Sequence, residues 1–151
     1  MLSRAEVLVP EAVYKEAVVV GKKEMHEDAF ELERVLREGG ARIVSGIDDE
    51  RAARILEGAS SLGAGERAAL HAAFAAGADT VLTDDRAFLG VLTRAGVAAL
   101  VPAAAMLSLA EAGAMSLEEA VAALGKIEGS VRREVYETAM QELETIREER
   151  R

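Results

Sequence analysis

The sequence contains no cysteine and no tryptophan, only two histidines and two prolines, and aromatic residues make up 3% of it. Without cysteine there are no disulfides, no thiolate nucleophile and no Cys-ligated zinc. Two histidines exclude a His-rich metal site, so any metal must be a hard ion held by carboxylates. No stretch approaches the roughly 18 apolar residues of a membrane span. The N-terminal residues lack the basic-then-apolar run of a secretory signal, so a cytoplasmic protein with no membrane partner is expected. Basic residues are also short: 18 Lys and Arg stand against 27 Asp and Glu, a net charge of −9 in 151 residues. That excess argues against a broad basic footprint on nucleic acid. It leaves room for a site that grips phosphate through a bound cation.

Half of the residues are hydrophobic, enough for a sizeable aliphatic core in a chain of this length. Short β-branched runs alternate with helical patterns. Val7–Val9 reads as a strand that stops at Pro10, which opens a helix from Glu11 to Val19 ended by Gly21. A charged helix from Lys23 to Glu38 is terminated by Gly39-Gly40. Ala41–Ile47 reads as a second strand, and Asp48 or Asp49 caps a helix running to Leu56. After a small-residue loop, 58–65, a strong helix spans Ala64–Ala76. Thr80–Thr83 is a third strand, followed at once by Asp84-Asp85 and a helix to Arg94. Val97–Val101 is a fourth. Pro102 opens a helix to Ala112, and Ser116 caps another with Glu119 in the capping-box position. Gly125 and Gly129 bracket a linker before the last helix, Val131–Glu149, whose apolar stripe is Val135, Tyr136, Ala139, Leu143 and Ile146. The alternation calls for a three-layer α/β/α domain around a parallel sheet. We expect this α/β domain over residues 1–128 and a C-terminal amphipathic helix, 129–151, packed on it or on a partner.

Most of the acids belong to solvated helix faces. Glu16 has Ala12, Val13, Val19 and Val20 at helical spacing, which puts it on or beside an apolar stripe. A carboxylate there is costly unless paired or metal-bound, or else it reaches out to water. Glu66 repeats the pattern with Ala69, Leu70 and Ala73, while Arg67 and His71 mark the wet side. It also sits in a first turn, where the helix dipole alone would favour it. Asp84 and Asp85 directly follow a strand of a parallel sheet, where ligand sites lie. One of the two can cap the next helix and still take part in a site. Together these acids form a candidate Mg²⁺ or Mn²⁺ cluster.

The segments VPEAVYKEA, LGAGERAALHAAFAAGADTVLTDDRAF and AEAGAMSLEEA resemble the PIN domain family over Val7–Leu124. That resemblance implies a three-layer α/β/α fold and a Mg²⁺- or Mn²⁺-dependent ribonuclease, often the toxin of a toxin–antitoxin pair. It implies catalytic acids at Glu16, Glu66, Asp84 and Asp85, with Glu66, Asp84 and Asp85 as metal ligands. Thr83 matches the Thr or Ser frequent beside those acids. With Arg86 it is a candidate contact to single-stranded RNA; as lone Arg residues on a helix, Arg86 and Arg94 read first as surface groups.

One departure is large. The family's first strand, its helix pair and its strand-end Asp have no counterpart, and Asp48 and Asp49 sit on the wrong element to replace that Asp. The sequence therefore reads as a truncated, mis-started or degraded PIN domain whose sheet lacks its middle. An exposed strand edge would invite a partner chain, an antitoxin or a second copy, and a homodimer is expected. Two functions follow: a metal-dependent ribonuclease, or a non-catalytic PIN-like interaction module. A phosphoacceptor receiver domain would need a Lys after a late strand. Val97–Val101 is instead followed by Pro102 and Ala103.

Overall fold

A computed structural model describes residues 6–39 and 41–151 of the chain. The elements in order are β1 (Leu8–Pro10), α1 (Glu11–Tyr14), a π-turn (Lys15–Val20), α2 (Gly21–Lys23), α3 (Glu27–Arg37), β2 (Arg42–Val44), α4 (Glu50–Glu57), α5 (Ala64–Ala76), β3 (Val81–Leu82), α6 (Arg86–Arg94), β4 (Ala99–Leu100), α7 (Pro102–Glu111), α8 (Leu117–Ile127), a 3-10 turn (Glu128–Ser130) and α9 (Arg133–Glu149).

The strands pair as two small sheets among the described residues. β1 and β2 are parallel, with Leu8 opposite Arg42, Val9 opposite Ile43 and Pro10 opposite Val44. In the other pair Val81 donates its N–H to Ala98 (2.9 Å) and Thr83 to Leu100 (3.0 Å), so the bonds advance together, as in a parallel pair. The α/β class is as expected. The single sheet of the sequence reading is replaced by two pairs, and its longer strands shrink to two or three residues. Gly46, at φ +64°, turns the chain out of β2 before it can reach Ile47.

The chain divides into two compact units. One holds most of residues 6–81 with Asp85–Ala99; the other holds Leu82–Asp84 and Leu100–Arg151. In the first, α5 packs on α1, α4 and β1. Its core is Leu56, Leu62, Leu70, Phe88, Val91 and Leu92, with small residues such as Ala52 and Ala59 between them. Asp49 is the cap of α4, accepting from the N–H groups of Arg51 (2.9 Å) and Ala52 (3.2 Å). Arg51 then lies over the Phe74 ring, 4.9 Å from its centre, and donates to the Phe74 carbonyl (2.9 Å), which ties α4 to α5. In the second unit α9 lays Ala139, Leu143 and Ile146 against α7 and α8. Ser116 and Glu119 form the expected capping box of α8, and Pro102 occupies the first turn of α7.

Several local expectations are corrected. β1 takes in Pro10 as its last residue, while the helix begins at Glu11 as expected, with Pro10 its N-cap. Gly21 does not end a helix. The chain stays helical to Lys23, and a Cβ at Gly21 would stand 2.8 Å from the Ala29 Cβ, so the glycine serves the packing of α3. The break falls at Met25, at φ 61°. Gly125 likewise lies inside α8. Arg67 and His71 do not mark a wet face. Arg67 donates to the carbonyls of Leu62 (3.1 Å) and Ala59 (2.8 Å), and His71 Nδ1 accepts from the Asp49 N–H (3.0 Å).

Candidate functional site

In the first unit two of the four candidate acids lie at the amino end of α5. Glu16 sits in the π-turn, whose wider turn shifts the register of the residues after it. The side-chain spacing read from a regular helix therefore fails here: Glu16 is exposed, and so are Val19 and Val20, instead of forming an apolar stripe. The Glu16 carboxylate lies over the first turn of α5. A Cβ on Gly65 would fall 3.2 Å from Glu16 Oε2 and 3.4 Å from a methyl of Val13. Glu66, half-buried, turns back toward the N-cap, where a Cβ on Gly63 would fall 2.9 Å from Glu66 Oε2. Gly63 carries no side chain that could cap the helix, and none does so. The two glycines thus leave space at the amino end of α5 that two carboxylates fill, where the helix dipole stabilises negative charge.

The remaining candidates lie after β3. Asp85 Oδ1 accepts the Phe88 N–H at 2.8 Å and caps α6. Asp84 is exposed and Thr83 is half-buried. Arg86 is the first residue of α6, with an exposed side chain. Glu16, Glu66, Asp85 and Arg86 belong to the first unit, Thr83 and Asp84 to the second. Among the described residues no three acidic or histidine side chains group closely enough to hold an ion. A cavity of about 170 Å³ opens at the carboxyl ends of β1 and β2, lined by Pro10, Ser45, Gly46, Ile47 and Ala68, and its one acid is Glu11.

Comparison with known proteins decides the lineage. The family described as DUF3368: PIN domain matches residues 3–145. The chain belongs to this PIN domain family. No curated protein and no solved structure matches it. Membership points to nuclease-type function and nucleic-acid binding in general, and PIN domains generally use divalent metal ions. Among the described residues no helix is long and apolar enough to cross a membrane. Glu16 and Glu66 fit such an ion in donor type: both are hard oxygen donors at the amino end of α5, each beside a glycine where a methyl group would intrude. Mg²⁺ is commonly held by one or two carboxylates, the rest of its shell being water and substrate phosphate.

The contribution of Gly63 and Gly65 escapes a reading by residue type. The signal was present in the Leu62–Glu66 run, where two glycines flank a helix start instead of following a helix end.

Proposed function

We propose that this PIN domain is a divalent-metal-dependent ribonuclease acting on single-stranded RNA, with Mg²⁺ or Mn²⁺ as cofactor. The observation that supports it is the placement of Glu16 and Glu66 at the amino end of α5, over Gly65 and Gly63 respectively, in a chain of this family. Glu66, Asp84 and Asp85 are the proposed ligands, and Glu16 is a ligand or the base that orients the attacking water. Thr83 and Arg86 are the proposed substrate contacts. A bound ion would lower the pKa of a water and neutralise charge at the scissile phosphate. The role of a cytoplasmic toxin held by an antitoxin, and a homodimeric state, belong to the same proposal.

A second reading is a non-catalytic interaction module. It is favoured by the commitment of Asp85 Oδ1 to the α6 cap and by the lack, among the described residues, of a close group of three acids.

One experiment separates the two. The protein is incubated with single-stranded RNA and Mn²⁺, and its thermal stability is followed as Mn²⁺ is added. The nuclease reading expects metal-dependent cleavage and a rise in Tm, both lost in Glu66→Gln with Asp85→Asn. Cleavage that survives those substitutions is contamination and sinks the assignment. An unchanged Tm with no cleavage establishes the module.

A further inference from the structure

We propose that the groove between α7 and α9 docks a basic amphipathic helix from a partner protein. The groove lies wholly within the second unit, so the inference is independent of the nuclease reading. Its volume is about 310 Å³. Ala104 and Leu107 of α7 and Val135 and Ala139 of α9 form an apolar floor, and Glu134 and Glu142 border it from α9. The alanines give it depth, since they fill little of the space between two helices.

The two bordering acids differ from their neighbours. Glu137 pairs with Arg133 at 2.7 Å and Glu144 with Arg147 at 3.6 Å. Glu134 and Glu142 have no ion-pair partner among the described residues, and both are exposed. Eight residues separate them, which is about 12 Å along a helix. An apolar floor between two uncompensated carboxylates complements a helix with one apolar face and basic side chains two turns apart. This is the chemistry of helix-in-groove recognition, with the anchors supplying affinity and the charges supplying orientation. RNA is disfavoured because phosphates would meet the carboxylates. At this acid-bordered groove a second copy, itself of net charge −9, is disfavoured, so the proposed homodimer would form through another surface.

The test uses the full chain and a fluorescent helical peptide with leucines along one face and arginines two turns apart. Fluorescence anisotropy is expected to show saturable binding that weakens as salt is added. Glu134→Gln with Glu142→Gln is expected to weaken it about tenfold and flatten its salt dependence. Thr138→Arg, which places a long cation in the groove, is expected to abolish it. Far-UV circular dichroism checks that these exposed substitutions leave the fold intact. The proposal is overturned by no binding, by equal affinity for a peptide with glutamates in place of the arginines, or by affinity unchanged in the double variant. Sedimentation showing a wild-type dimer that Thr138→Arg dissociates would also overturn it, since a second copy would then cover the groove.

Discussion

The two halves of the first unit handle their hydrophobic residues differently. From α4 to α6 the large side chains go inside: Leu70 and Leu92 are fully buried, and Phe88 nearly so. From β1 to β2 the buried side chains are Val18 and Ala29, while Val7, Val19, Val20, Met25, Phe30, Val35 and Ile43 are exposed. The second half is held by close backbone approach at Gly21 and by the Lys22–Glu33 pair at 2.8 Å, in place of a large apolar core. The lesson concerns the candidate site. Glu66 stands on the well-packed half and Glu16 on the sparsely packed one. The carboxylate pair is therefore only as well ordered as the seam between α1 and α5.

The largest expected effect tests this contrast directly. Leu92→Ala should destabilise the chain by about 2–5 kcal/mol, whereas Phe30→Ala should cost less than about 1 kcal/mol, both measured by urea unfolding. Equal losses would break the comparison. A smaller effect is expected where the sparse half depends on a glycine. Gly21→Ala should cost about 1–3 kcal/mol, because the added methyl meets the Ala29 side chain at 2.8 Å. Gly65→Ala should change stability little, since the crowded neighbour is a flexible exposed carboxylate. It should nevertheless reduce any Mn²⁺-dependent rise in Tm.

The smallest effect is a pH dependence. The Arg51 side chain, then the backbone N–H groups of Ala52 and Arg51, hold Asp49 below its ordinary value of 3.8. The Lys22 hydrogen bond does the same for Glu33, whose ordinary value is 4.5. Each carboxylate binds fewer protons folded than unfolded. Its stabilisation is full above the ordinary value and is lost as pH falls through the lowered one. Asp49→Asn and Glu33→Gln should each flatten the acid limb of a Tm–pH profile. A limb as steep as in the parent chain would show that these pairs contribute nothing measurable.

Much of this was legible in the sequence where the cause is local. A cap at Asp48 or Asp49, another at Asp84 or Asp85, the capping box at Ser116 and the stripe of α9 all follow from residues within a turn or two. The types of the candidate acids were legible too. The π-turn was not, because counting every third and fourth residue presupposes a regular α-helix. Gly21 and Gly125 misled for a related reason: a glycine that stops a helix and one that admits a neighbour look alike in one dimension. Arg67 and His71 have partners on other elements or in the preceding loop, so an exposed helix face was the default for both. The extent of the sheet was overread because β-branched runs set the propensity for strands and not how many partners they find.

The π-turn also acts as a phase setting. Each residue advances an α-helix by about 100°, so removing one from Lys15–Val20 would rotate everything beyond it by that angle relative to everything before. Glu16, near the start of the turn, reaches Gly65, and Gly21, just after its end, meets Ala29. A chain shortened by one residue there could keep either contact but not both. The length of that one segment thus couples the position of a candidate catalytic acid to the seating of α3, and an alignment of relatives should treat an insertion or deletion in it as a change of geometry.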